Sequence, residues 1–219
     1  MSRRESDYYP TPPECVHALM PFVQTWGFSY LEPCAGAGSI IKAAKQWSGR
    51  NKLVSKWYAY ERSSELAQNI QGAEDVQVGD ALAMDWHRMP VVANPPFSDM
   101  GVWVERIMKH CEVHKVPCAI LTRCSWLLES GRYTVRQKLR GRLTVINMCW
   151  RPSFTGDGKF DNQPAVWLIY DPGRPKQYGE QSYYVEKPLV EQSLIDHHRA
   201  AARLSVVAGE MELQGGLGL

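Results

Sequence analysis

The chain reads as a doubly wound, Rossmann-like α/β domain, and three observations predict this. Short apolar stretches of strand length alternate with longer stretches whose apolar residues recur at helical spacing. The ends of the strand-like stretches carry glycines, carboxylates or prolines, where an open α/β sheet places its ligands. The last two apolar stretches, 143–148 and 165–170, follow each other with no helix between them. This predicts a mostly parallel sheet with an antiparallel hairpin at its end.

The elements follow in order. Tyr9-Pro10-Thr11-Pro12-Pro13 is extended and stiffened by proline, and a helix starts at its end with Val16, Leu19, Met20 and Val23 at core spacing. Residues 28–31 form a first strand, a glycine-bearing loop covers 32–39, and a helix covers 40–47. A second strand at 56–60 ends at Glu61 and leads into a helix at 63–70. A third, 76–78, closes at Gly79-Asp80. The fourth, Val91-Val92-Ala93, runs into Asn94-Pro95-Pro96-Phe97. Proline lacks a backbone N–H, so the pair of prolines ends the sheet ladder there. A helix at 102–114, a strand at 118–122 and a helix at 132–139 complete the alternation before the hairpin. Residues 171–184 turn polar, a helix is expected at 188–206, and the tail from 207 to 219 is expected to be loose. The whole of 1–219 is expected to be one domain, with 1–12 closing over a cofactor.

Composition narrows the class. With 219 residues, 44% hydrophobic and 22% charged, the chain suits one globular domain, and no apolar run approaches membrane-spanning length. The six cysteines show no paired framework, which suits reduced thiols and a cytoplasmic protein. His110, Cys111, His114 and Cys118 suggest a metal site at first sight. Adjacent residues diverge by about 100° on a helix, so His110 and Cys111 do not share one ion, and no metal is expected. The formal net charge is only +2, but Arg123, Arg132, Arg136, Lys138, Arg140, Arg142 and Arg151 lie in a window whose only acid is Glu129. Such a stripe suits phosphate contacts.

The strand-end residues point to a chemistry. Gly36 and Gly38 permit a tight turn and close backbone approach, yet the third glycine of a dinucleotide fingerprint is missing, and no Gly-Lys-Ser/Thr follows. A glycine loop beside an acid, without pyrophosphate machinery, fits a cofactor with an amino-acid end and an adenosine but no phosphates: S-adenosylmethionine. Glu61 is placed to accept from ribose hydroxyls and Asp80 from the adenine amino group. At the fourth strand end, the Asn94 amide oxygen and the Pro95 carbonyl can accept the two hydrogens of an exocyclic amino group, directing its lone pair toward an attacked carbon. Phe97 can stack on a base taken out of its duplex.

With these residues in place, the chain resembles the S-adenosylmethionine-dependent amino-methyltransferases, and among them the DNA adenine-N6 methyltransferases of small, phage type. Glu32-Pro33-Cys34-Ala35-Gly36-Ala37-Gly38 is similar to the family's cofactor loop and Asn94-Pro95-Pro96-Phe97 to its catalytic tetrad. Tyr9-Pro10-Thr11-Pro12 is similar to the Tyr-x-Thr-Pro segment that closes over the methionine end. Ser153-Phe154-Thr155-Gly156-Asp157-Gly158 resembles a mobile loop near the target base. The resemblance implies a class I methyltransferase sheet and site-specific methylation of adenine in duplex DNA, with a restriction partner conceivable. It implies catalysis by Asn94, Pro95, Pro96 and Phe97. It implies cofactor contacts from Tyr9, Pro10, Thr11, Glu32, Pro33, Cys34, Gly36, Gly38, Glu61, Asp80 and Asn94, with Ala81 and Leu82 as an apolar wall. DNA contacts are expected from Arg123, Arg132, Arg136, Arg140, Arg151, Phe154 and Lys159, and a monomer or weak dimer is expected. Two rival readings share these residues: a methyltransferase acting on RNA bases or a protein glutamine amide, and a non-catalytic nucleic-acid-binding relative.

Overall fold

A computed structural model describes residues 8–129, 131–157, 159, 164–176 and 179–215. Eight strands form one sheet: β1 (Ser29–Glu32), β2 (Lys56–Glu61), β3 (Asp75–Val78), β4 (Val91–Ala93), β5 (Cys118–Arg123), β6 (Leu143–Met148), β7 (Ala165–Tyr170) and β8 (Gln181–Val185). The helices are α1 (Pro13–Val23), α2 (Ser39–Arg50), α3 (Ser64–Ala67), α4 (Met100–His114), α5 (Tyr133–Leu139) and α6 (Gln192–Gly215). Strand order is β3-β2-β1-β4-β5-β7-β6-β8. The chain steps outward from β1 to β3, then returns to place β4 on the other side of β1. That reversal opens a crevice between the carboxyl ends of β1 and β4.

Alternation along the strands builds a core on each face. In β4, Val92 joins one cluster with α1 and α2, while Val91 and Ala93 join the other with α4. In β7, Ala165, Trp167 and Ile169 face the first cluster and Val166, Leu168 and Tyr170 the second. Successive side chains point to opposite faces, so strands covered on both sides read as unbroken apolar runs. Three polar contacts fix the packing. The buried Trp167 indole donates to the Cys15 carbonyl at 2.8 Å, tying α1 to β7. Trp86 donates to the Ala81 carbonyl at 2.7 Å, and Tyr30 to that of Val23 at 2.9 Å.

The expected hairpin is present, and β7 threads between β5 and β6, antiparallel to both. It is not the end of the sheet. The stretch expected as polar connection contains β8, which pairs parallel to β6 from Gln181 against Thr144 to Val185 against Met148. Four of its five residues are exposed, so no apolar alternation marks it in the sequence. Backbone pairing holds it, with Asn147 donating to Ser182 at 2.7 Å and Tyr183 meeting Phe22 edge-on at 5.0 Å. Helix α3 is shorter than expected, with the Ser63 hydroxyl accepting from the Leu66 N–H at its start. Helix α6 starts four residues later than expected and runs to Gly215, so the tail expected to be loose from 207 is helical that far. Residues 1–7 and 216–219 lie outside the described residues.

Candidate active site

The crevice holds a cavity of about 760 Å³. It gathers four consecutive strand ends: Glu32 at the end of β1, Glu61 at the end of β2, Asp80 after β3 and Asn94 directly after β4. Tyr9, Pro10 and Thr11 cross it as a strap. Pro33, Cys34, Ala81 and Leu82 also line it.

Asn94 is the most constrained polar group. Its Nδ2 donates to the Tyr9 carbonyl at 2.9 Å and to Thr11 Oγ1 at 3.1 Å. Both donor hydrogens are therefore used, and the amide plane is locked by the strap. Its Oδ1 is buried and accepts from nothing among the described residues. A buried acceptor left without a donor costs roughly 1–3 kcal/mol, a cost that a ligand N–H arriving at that atom removes. Pro95 follows, buried, and fixes the chain's exit from the sheet.

Beyond Asn94 stands an aromatic group. The Phe97 ring lies 5.7 Å from that of Tyr9, and the Phe154 ring meets it edge-on at 6.4 Å and 88°. The Arg123 guanidinium sits 5.2 Å from the Phe97 centroid. Phe154, in the β6–β7 connection, is 4% exposed and packs into the α1/α2 core. It thus backs Phe97 from the core, outside the lining of the cavity, rather than standing as a free surface contact.

The other end of the cavity is acidic. Glu32 is 2% exposed, and its Oε2 is buried with no partner among the described residues. Burial, reinforced by the nearby Glu61 carboxylate, holds its pKa well above the usual range, against the Ile41 backbone N–H, which favours the charged form. Such a carboxyl suits a cationic amino group. Glu61 is fully engaged in the loop: Oε2 accepts from the Gly36 N–H at 2.7 Å and Oε1 from the Ser63 N–H at 2.8 Å. Each oxygen retains a further lone pair for a hydroxyl donor. Asp80 accepts from the Leu82 N–H at 3.0 Å, opening a 3₁₀ turn at Ala81–Ala83.

Tyr8, a contact the sequence reading did not single out, lies on the glycine loop. Its hydroxyl accepts from the Ala37 N–H at 3.1 Å, and burial raises its pKa to about 12. A Cβ at Gly36, where φ is +54°, would stand 2.1 Å from the Tyr8 ring, so only glycine fits. The signal for Tyr8 was its place one residue before the Tyr9-Pro10-Thr11-Pro12 segment. Gly36 lies beneath this ring, and Gly38 precedes α2 at φ +78°, with Ile70 backbone 3.2 Å from its Cβ position. The two glycines shape the loop, while Glu32, Glu61 and Asp80 supply the side chains that face the cavity.

The basic residues divide. Arg123 borders Phe97, and Arg132 lies over Trp126 at 4.8 Å with its guanidinium 3.0 Å from the Cβ position of Gly101, beside the start of α4. Arg136 and Arg140 are exposed on and just after α5. Arg151 borders a second cleft. Lys159 is exposed, its backbone N–H donating to Asp157 at 2.9 Å, and Gly158 lies outside the described residues. Among the described residues no group of three or more His, Cys, Asp and Glu is placed to hold a metal ion. No described helix is long and apolar enough to cross a membrane.

A reversed parallel sheet with one antiparallel strand inserted near its edge defines the class I methyltransferase fold, and comparison with solved structures agrees. A modification subunit of a putative type I restriction enzyme from Vibrio vulnificus superposes with a TM-score of 0.58 at 16% identity, covering 88% of this chain and 52% of its own. The methyltransferase subunit of a type I restriction-modification system from Streptococcus thermophilus gives 0.57 at 17% identity, covering 90% and 53%. A putative class I S-adenosylmethionine-dependent methyltransferase from Listeria monocytogenes gives 0.56 at 13%, covering 87% and 68%. The chain spans about half the length of the two restriction-system subunits. No protein-family model matches the chain, and a search of curated proteins finds no match.

Proposed function

We propose that this chain transfers a methyl group from S-adenosylmethionine to the N6 amino group of adenine in DNA. One observation carries the proposal: an amide anchored through its nitrogen, with its buried oxygen unsatisfied, beside an aromatic wall. An extruded adenine offers what this site lacks, a flat ring and an N–H₂ donor.

The residues fit the cofactor. Glu32 Oε2 would accept from the ammonium of its methionine end, Glu61 has lone pairs left for the ribose hydroxyls, and Asp80 with Ala81 and Leu82 would hold the adenine. Tyr9, Pro10 and Thr11 close over the methionine end, and Pro33, Cys34, Gly36 and Gly38 form the loop beneath. Bound there, the cofactor supplies an electrophilic methyl group on a sulfonium, whose sulfur leaves with the electrons of the broken S–C bond.

The chain's own groups do the rest. Asn94 Oδ1 and the Pro95 carbonyl accept the two amino hydrogens, which turns the nitrogen lone pair out of conjugation with the ring. These acceptors are held in place before reaction, so their reorganisation adds little to the barrier. Pro96 fixes the turn, while Phe97, backed by Phe154, holds the base by its face. The proton lost after N–C bond formation passes to water, so no strong base is required. Arg123, Arg132, Arg136, Arg140, Arg151 and Lys159 supply phosphate contacts to the duplex. The proposal is of a phage-type enzyme with one catalytic domain, acting in the cytoplasm as a monomer or weak dimer.

The test is methyl transfer from labelled S-adenosylmethionine to duplex DNA, with the product digested to nucleosides. Labelled N6-methyldeoxyadenosine is the expected product. Label on RNA or protein alone would move the target, and no label on any acceptor would refute transfer.

A further inference from the structure

A second cleft of about 500 Å³ lies outside the methyl-transfer cavity. Its lining includes the apolar Pro13, Val190 and Ile195 and the basic Arg151, Lys187 and Arg199, with Glu14 and His198 buried among them. The one acid lining it among the described residues, Glu14, is paired with Lys187 at 3.3 Å. Arg199 lies 3.7 Å from Asp196 with both side chains more than half exposed, a pairing that solvent weakens. The lining therefore keeps an excess of positive charge beside apolar side chains, the combination that suits a nucleotide, its phosphate at the cations and its base or sugar on the apolar surface.

Its position gives the ligand's identity. Pro12, also in its wall, directly follows Thr11, which accepts from Asn94. Ser153, also in its lining, directly precedes Phe154, which meets Phe97. Two of its lining residues are therefore chain neighbours of residues of the transfer site.

We infer that this cleft seats the nucleotide adjoining the target on the substrate strand, its phosphate held by Arg151 and Arg199 with Lys187. The inference rests on the nucleic-acid reading above and adds a subsite to it. The cleft is also joined to the ring that backs Phe97. His198 Nε2 lies 2.8 Å from the Ser153 carbonyl. At Gly156 (φ +67°) a Cβ would stand 2.9 Å from that of Ala202 and 3.3 Å from Arg199 Cα, so the loop carrying Phe154 lies flush against α6. A strand filling the cleft presses on the support of that ring.

The experiment measures binding of a labelled duplex to the full chain by fluorescence anisotropy across a salt series, with cofactor affinity measured alongside. For R151Q/R199Q we expect affinity about tenfold weaker and the slope of log K against log salt reduced by about 2, one unit per lost phosphate contact, with cofactor affinity unchanged. For Glu14→Gln, which removes the cleft's acid, we expect tighter binding, a gain that a folding defect does not produce. Wild-type slope and affinity in R151Q/R199Q would overturn the inference. If the wild type methylates RNA instead of DNA, the DNA reading fails, and the same slope measured on that RNA decides the cleft. If the wild type binds no nucleic acid, both fail.

Discussion

The two ends of the main cavity each hold one buried oxygen without a donor among the described residues, and they differ in charge. Glu32 is a titratable carboxyl whose charge burial opposes; Asn94 is a neutral amide locked by two hydrogen bonds. A carboxyl awaiting a cation makes capture of the ligand depend on pH. An amide oxygen awaiting an N–H makes the geometry of transfer independent of pH. In the proposed reaction these two groups divide holding from reacting, and the division can be tested residue by residue.

The largest expected effect is at the neutral end. Asn94→Ala removes the anchored acceptor and is expected to lower single-turnover rate by at least about 100-fold, the scale of one lost preorganised partner. Cofactor affinity by calorimetry is expected to stay within a few-fold. Loss of both together would erase the distinction between the two ends.

Next comes the charged end. Glu32→Gln is expected to weaken cofactor binding by about 10- to 100-fold, the worth of a charge-assisted hydrogen bond at roughly 1.5–3 kcal/mol. The pH dependence has a definite sign. The folded-state pKa of Glu32 is raised, so its contribution to stability is fully present below the unfolded carboxyl pKa and is lost as pH rises through the folded value. A cationic ligand lowers that pKa, so binding releases a proton, and affinity climbs with pH until the free-protein pKa is passed. Tyr8, Cys34 and Glu61 are the neighbouring titratable groups whose charges act on one another here. Calorimetry in buffers of different ionisation enthalpy is expected to show proton release in the wild type and none in Glu32→Gln. Equal release in both would assign the titration to another group.

A smaller effect is expected at the wall. Phe154→Leu keeps an apolar side chain in the core but loses the ring facing Phe97. Base–aromatic contacts are worth about 1–3 kcal/mol, so KM for DNA is expected to rise about tenfold, with reduced fluorescence change from 2-aminopurine at the target. An unchanged KM would make Phe154 a packing residue only. The smallest effect is at the anchor. Thr11→Val removes one of the two acceptors from Asn94 Nδ2 while the Tyr9 carbonyl stays. A turnover loss of about five- to tenfold is expected for one hydrogen bond of about 1 kcal/mol. A loss as large as that of Asn94→Ala would show that Thr11 alone orients the amide.

Much of this was legible in the chain because strand ends are local. Glu32, Glu61, Asp80 and Asn94 each follow a short apolar run, and a parallel sheet brings the carboxyl ends of its strands to one edge. β8 was not legible, because an edge strand with one pairing partner and four exposed residues carries no apolar alternation. Tyr8 was not singled out, because its role depends on Gly36, 28 positions away, lacking a Cβ that would meet its ring.

The sequence alone determined the fold class, the order of the strand-end groups and the identity of the amide at the centre, since each rests on periodicity, turn chemistry or residue type within a few positions. The tertiary structure decided the rest. It turned the Asn94 nitrogen toward Tyr9 and Thr11 so that its oxygen remains free. It engaged both Glu61 oxygens in the loop, and it buried Phe154 beside Phe97. Apart from the local Glu61–Ser63 contact, these join residues 25 to 85 positions apart, and hydrogen-bond direction and burial at that range are set by how the elements pack rather than by any neighbour in the chain.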